Sequence, residues 1–171
     1  MQKIGVLGAG TMGAGIAQAF AMAGKDVVLR DISEALVDKG IAGIQANLDR
    51  FVSRNQLAAE EADAAKHRLT GAVDIAAFAD CDLIVEAIVE VMEVKKTVFA
   101  ELDEAVQPEA ILVSNTSSLS ITEIASATNR PDKVLGMHFF NPAPVMKLVE
   151  VIRGIATSQE TVDRVLEVTR D

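Results

Sequence analysis

Lys3-Ile4-Gly5-Val6-Leu7-Gly8-Ala9-Gly10-Thr11-Met12-Gly13 decides the fold. A five-residue apolar strand runs directly into a Gly-x-Gly-x-x-Gly turn. From Ala14 onward Ile16, Ala17, Phe20, Ala21 and Ala23 recur at helical spacing, until Gly24 offers a C-cap. Strand, glycine turn and helix in this order make a dinucleotide-binding turn. Gly8 permits the tight bend, Gly10 lets a pyrophosphate reach the backbone, and Gly13 lets helix pack on strand. The free amides and the positive end of the helix then face the phosphates.

Asp26-Val27-Val28-Leu29-Arg30-Asp31 reads as the second strand, and its closing acid lies 23 residues after Gly8 (31 − 8). The dinucleotide fingerprint places there the carboxylate that binds the adenosine ribose hydroxyls. Asp31 would repel a 2′-phosphate, so NAD is expected in preference to NADP. The neighbouring Arg30 works in the opposite sense, because an arginine there can accommodate that phosphate.

Further along, strand-like and helix-like segments alternate, as a parallel α/β sheet requires. Asp82–Ala87 reads as a strand leading into a helix that starts near Val91, with Val94, Val98, Phe99 and Leu102 on its apolar face. Ala110–Ser114 is another buried strand, followed by Asn115-Thr116-Ser117-Ser118. Residues of this polar cluster can cap a helix or contact a ligand. Ligands of open α/β sheets bind beyond the carboxyl ends of the strands, where Glu90, this cluster and His138 all fall. The expected architecture is a doubly wound, Rossmann-type, mainly parallel sheet.

Residues 33–69 exceed a minimal fold of this type. After Ser33, a candidate N-cap, Val37, Ile41, Ile44, Leu48 and Phe51 mark one helical face. Asn55 is the expected stop, and Leu57–Leu69 reads as an antiparallel partner. Such an inserted hairpin is a packing arm or a binding flap, and from these residues alone packing is the better reading. Arg50 and Arg54, one turn apart, nevertheless offer positive charge to a phosphate-bearing ligand.

Of 171 residues only two are histidines, which restricts the homes of a base at neutral pH. His138 ends the apolar run Val134–Met137, and Glu150 follows Leu148-Val149. Pro142 and Pro144 force a turn between them, so the imidazole and the carboxylate can meet. Such a pair is either a base with its orienting acid or a buried structural contact.

The chain is half hydrophobic, with a net charge of −9 and neither Trp nor Tyr, a balance that argues against general nucleic-acid binding. No apolar run is long enough for a membrane span, and no secretory leader is expected. The single cysteine, Cys81, excludes an internal disulfide and fits a reducing, cytoplasmic setting. No Cys/His spacing suggests a metal site.

Four motifs together resemble the nucleotide-binding half of the L-3-hydroxyacyl-CoA dehydrogenase family: Gly8–Ala17, Val85-Glu86-Ala87-Ile88-Val89-Glu90, Ser114–Ser118 and His138-Phe139-Phe140-Asn141-Pro142. The likeness covers essentially all 171 residues. It implies that NAD is the cofactor, held by Gly8, Gly10, Thr11, Met12, Gly13, Asp31, Ala87, Glu90, Lys95, Asn115 and Asn141. It implies that His138 is the catalytic base, Glu150 its paired acid, and Ser117 the donor to the substrate's 3-oxygen. The hairpin would be a coenzyme A arm, with Asn47 and Arg54 contacting an acyl-CoA substrate such as 3-hydroxybutyryl-CoA. The implied reaction is oxidation to the 3-oxoacyl thioester, and its reverse, in fatty acid or butyrate metabolism.

Members of that family continue into a helical second domain that supplies dimer contacts and part of the acyl pocket. Here the helical pattern of Val162, Val165 and Leu166 is still running at Asp171, so a piece of a longer homodimeric enzyme is expected, able to bind cofactor with little or no turnover. Three other readings stay open: a relative acting on a carnitine- or gulonate-type substrate, a member of the 3-hydroxyacid dehydrogenases that use a catalytic lysine, and a non-catalytic dinucleotide-binding module. The His138–Glu150 segment weighs against the last two.

Overall fold

The computed structural model describes residues 1–170. Seven strands form one sheet: β1 (Lys3–Leu7), β2 (Asp26–Arg30), β3 (Leu69–Ala72), β4 (Leu83–Glu86), β5 (Ile111–Ser114), β6 (Val134–Phe139) and β7 (Val149–Arg153). Their spatial order is β3-β2-β1-β4-β5-β6-β7. The first six are parallel and β7 returns antiparallel to β6. The order reverses between β1 and β4, which is where an open α/β sheet leaves a crevice for ligands.

The core explains why the central strands are apolar throughout. Ile4, Val6, Val27, Leu29, Leu83, Val85, Ile111 and Val113 belong to one cluster of buried side chains. Leu7, Val28, Ile84 and Leu112 belong to another. Successive strand residues point to opposite faces, so a sheet covered on both sides needs both sets to be hydrophobic. Helices α1 (Thr11–Met22), α2 (Glu34–Ser53), α3 (Ala59–His67) and α6 (Gln159–Arg170) contribute Ile16, Phe20, Ile44, Leu48, Ala62, Ala65 and Val165 to the first cluster. Helices α4 (Met92–Ala105) and α5 (Ile121–Ala125) contribute Phe99, Leu102, Ile121 and Ile124 to the second.

The glycine turn takes its expected shape, but α1 begins at Thr11 rather than Ala14, so the last two loop residues before Gly13 are already helical. Gly8 has φ +103°, a left-handed conformation that favours glycine, and a Cβ there would lie 2.6 Å from the Ala87 carbonyl oxygen. A Cβ on Gly13 would lie 1.7 Å from the Gly8 carbonyl oxygen, so no other residue fits.

The hairpin also forms, with Ser33 capping α2 through the Leu36 amide and Asn55 adopting a left-handed φ of 55° just beyond its end. Its second helix is shorter than the periodicity suggests. It stops at His67, and Leu69 opens β3 at the sheet edge. On α4 the apolar face differs from expectation too. Val94 is exposed, and Lys95 is buried beside Phe99 and Leu102 in its place. No helix among the described residues is long and apolar enough to cross a membrane.

Candidate active site

The register of β6 and β7 sets His138 opposite Glu150. His138 Nδ1 lies 2.8 Å from Glu150 Oε2, with the imidazole 23% exposed and the carboxylate 53%. Phe140 flanks the imidazole, their ring centroids 4.7 Å apart. A carboxylate acceptor on Nδ1 assigns the proton of the neutral ring to that nitrogen and leaves the Nε2 lone pair for an incoming proton. His138 and Glu150 line a cavity of about 200 Å³ together with Thr116, Ser117 and Leu119. The other histidine, His67, places Nδ1 2.7 Å from the Asp63 carbonyl oxygen on α3 and is separate from this group.

Ser117 reaches the cavity because a chain of hydrogen bonds shapes its loop. The Thr116 hydroxyl donates to Glu90 Oε1 and accepts from the Leu119 amide at 2.9 Å, while the Ser117 amide donates to Glu90 at 3.1 Å. Burial works to raise the Glu90 pKa. The Thr116 hydroxyl, the Lys95 charge and the Ser117 amide outweigh it and hold the carboxyl below its ordinary value. Behind Glu90 stands an ion pair that the sequence reading did not single out. Lys95 Nζ lies 2.6 Å from Glu86 Oε1 and 3.3 Å from Glu90 Oε2, with Lys95 and Glu86 side chains 1% and 0% exposed. Ser114 Oγ and the Ile88 amide donate to the Glu86 carboxylate at 2.7 and 2.8 Å. Lys95 therefore sits beneath the cleft and bears on it through Glu90. The available signal was an acid inside an otherwise apolar strand. Asn115 is likewise committed to the fold, accepting the Phe139 amide at 2.9 Å and so tying β5 to β6.

On the other side of the crevice, Asp31 accepts the Ala9 amide through Oδ2 and the Ile32 amide through Oδ1, each at 2.7 Å. Arg30 Nε donates to the Val73 carbonyl at 2.8 Å, which draws that side chain toward the β3 edge. Asp31 borders a cavity of about 340 Å³ with Ala9, Gly10, Thr11, Leu36 and Lys39. A Cβ on Gly10 would meet no protein atom within 4 Å, so packing does not explain that glycine. The space it leaves open fits a phosphate against the first turn of α1, which carries no acidic residue. Met12 is half-buried against the core, and Ala87 donates its amide to the Leu7 carbonyl at 2.8 Å beside the turn.

A third cavity, of about 260 Å³, shares Thr11, Ala14 and Gly43 with the second and adds Asn47, Arg50 and Asn141. Asn47 is held by a 2.8 Å bond from its Nδ2 to Gln18 Oε1 on α1. Arg50, rather than Arg54, borders this space; Arg54 lies one turn on, at the C-cap of α2.

The sheet order, the glycine turn and the polar crevice define a dinucleotide-binding domain of the dehydrogenase type. The chain belongs to the family of the 3-hydroxyacyl-CoA dehydrogenase NAD-binding domain, whose model matches residues 3–171. It is 49% identical over 169 residues to a 3-hydroxybutyryl-CoA dehydrogenase of Clostridioides difficile, covering 98% of this chain and 60% of the relative. It is 48% identical over 169 residues to a 3-hydroxyadipyl-CoA dehydrogenase of Escherichia coli, covering 99% of this chain and 36% of the relative. A crystal structure of the (S)-3-hydroxybutyryl-CoA dehydrogenase of Ralstonia eutropha superposes with a TM-score of 0.97 at 42% identity, covering 99% of this chain and 60% of that one. The chain thus spans between about a third and three fifths of these relatives. The family's cofactor is NAD.

Proposed function

We propose that this chain is the cofactor-binding, base-bearing part of an enzyme that interconverts L-3-hydroxyacyl-CoA and 3-oxoacyl-CoA, with 3-hydroxybutyryl-CoA as the substrate. The observation that carries this reading is the meeting of His138, Glu150 and Ser117 in one cavity at the carboxyl ends of the strands. NAD, when bound, supplies the hydride acceptor for the C3 hydrogen. His138 takes the 3-hydroxyl proton at Nε2, and Glu150 stabilises the imidazolium that results. Ser117 donates its hydroxyl to the 3-oxygen. In the reductive direction the same imidazolium returns the proton.

Gly10 and Thr11 receive the pyrophosphate at the start of α1, and Asp31 receives the adenosine ribose. Glu90 and Asn141 border the nicotinamide half. Asn47 and Arg50, with Arg54 further out, meet the coenzyme A portion of the substrate. Both sequence readings of the hairpin then apply, since one face of α2 packs while another lines the cavities. A helical second domain, a homodimer and a cytoplasmic setting complete the proposal and rest on the family resemblance. The test is NADH oxidation with acetoacetyl-CoA, by this chain and by a version carrying the second domain. Activity in the longer protein that depends on His138 is the expected result; an inert longer protein would leave a binding module instead. A second reading keeps the chemistry and changes the acyl group, favoured by the Escherichia coli relative that is named for 3-hydroxyadipyl-CoA. Parallel assays with that thioester separate the two.

A further inference from the structure

The chain has 25 acidic and 16 basic residues, so a basic group without an acidic partner is informative. Lys3, Lys66, Lys95, Lys96 and Lys133 all form ion pairs. Among the described residues, Lys39, Arg50 and Arg54, like Lys147 and Arg170, make no side-chain hydrogen bond or ion pair, and the first three lie on α2 or its C-cap. Helix α2 also sorts its charges by face. Glu34 and Asp38 line a groove against β3, together with Gly71 and Val73. Lys39 turns the other way and is the one cationic side chain on the cavity bounded by Gly10, Thr11 and Asp31. Gly40 fixes that placement, because a Cβ there would come within 3.0 Å of the Ala9 side chain and 3.1 Å of Leu29. The helix therefore lies directly against the glycine turn.

We propose that Lys39 is a phosphate-binding residue of the cofactor site, its ammonium taking an oxygen of the pyrophosphate seated at Gly10 and Thr11. The inference rests on the NAD-binding reading and extends it. Backbone amides and a helix terminus supply only partial charges, and on a chain of net charge −9 a full cation there offsets the general repulsion of a dianionic pyrophosphate. Arg50 serves a different group, being eleven residues further along α2, about 16 Å at the helical rise. The two cations divide the connected cavities, Lys39 facing the cofactor and Arg50 facing the substrate.

The experiment measures binding of NADH, NADPH, ADP-ribose and adenosine to this chain and to its Lys39→Met and Lys39→Arg variants, across a salt series. Lys39 is exposed, so the fold is not at risk. Lys39→Met should weaken NADH and ADP-ribose about three- to ten-fold, flatten their salt dependence and leave adenosine unchanged. Lys39→Arg should restore most of the affinity. Unchanged NADH affinity in Lys39→Met would overturn the proposal while the cofactor reading stands. Equal weakening of adenosine would overturn it in favour of a packing role. A loss confined to NADPH would overturn it by moving the lysine to the 2′-phosphate. Failure of the unsubstituted chain to bind NADH would overturn this inference and the cofactor reading together.

Discussion

His138 and Glu150 are register partners across the β6–β7 ladder, and their side chains meet at 2.8 Å on one face of it. Twelve residues and a sharp turn separate them in sequence, yet the antiparallel pairing leaves no freedom in which pair of residues meets. A one-residue slip would send the carboxylate to the other face of the sheet. The orientation of the candidate base is therefore a property of the strands, not of a loop.

In the longer enzyme, His138→Gln should lower turnover at least about 100-fold, the usual loss when a general base is removed, while NADH affinity stays the same. Glu150→Gln should also slow turnover, by a smaller factor. Steady-state rates with acetoacetyl-CoA and NADH decide it. Near-normal turnover of His138→Gln would remove the imidazole from the mechanism.

Asp31 holds the Ala9 and Ile32 amides, and the proposed function gives it a second duty at the adenosine ribose. NADH should bind more tightly than NADPH, and Asp31→Ala should narrow that gap. The variant should also lose some NADH affinity, because it frees an amide of the glycine turn. Calorimetric titration of both cofactors tests this. Tighter NADPH binding by the unsubstituted chain would refute it and draw attention to Arg30.

For the arm, depth decides between two arginines. Arg50 borders the cavity that holds Asn47 and Asn141, so Arg50→Ala should weaken acetoacetyl-CoA binding more than Arg54→Ala does. An exposed charge contact contributes roughly 0.5–1 kcal/mol, which corresponds to a few-fold change that shrinks as salt rises. NADH affinity should not move in either variant. The reverse ranking would place the coenzyme A phosphates nearer the hairpin tip.

Acid should destabilise the chain through Asp103. Burial works to raise its pKa, but the Asn129 amide at 2.7 Å and the Arg130 guanidinium outweigh that and hold it below its ordinary value. A group whose folded value is depressed contributes stability above its unfolded pKa, about 4, and loses it as pH falls through the folded value. Urea melts from pH 7 to pH 3 should show stability falling below about pH 5. Asp103→Asn should be less stable at pH 7 and show a flatter decline; an identical slope would assign the acid sensitivity elsewhere.

The glycine turn, the strand that ends just before Asp31 and the meeting of His138 with Glu150 were legible because each combines a residue type with a spacing that few other structures need. Strand β3 was not, and Gly71 explains why. A Cβ there would fall 2.6 Å from the Val37 side chain, so α2 packs where an apolar strand residue would otherwise stand, and Leu69-Thr70-Gly71-Ala72 lacks a strand's usual pattern. Helix α4 misled in a related way. Periodicity counts apolar residues, so it chose exposed Val94 and passed over Lys95, whose burial depends on an acid nine positions earlier in a different element. Arg50 and Arg54 share a helical face, and only the position of α1 and Asn141 distinguishes them.

The buried pair of Glu86 and Lys95 constrains how this sequence can drift. Removing Lys95 strands the Glu86 charge in the interior, at a cost of about 3–5 kcal/mol, and removing Glu86 leaves Lys95 only the partly exposed Glu90 at 3.3 Å, whereas exchanging both for well-packed neutral side chains can be close to neutral. A lineage cannot comfortably cross from one arrangement to the other one codon at a time, because the intermediate gives up a large part of a domain's whole stability. The two positions are therefore expected to change together, and any descendant that has lost one should be found to have replaced both.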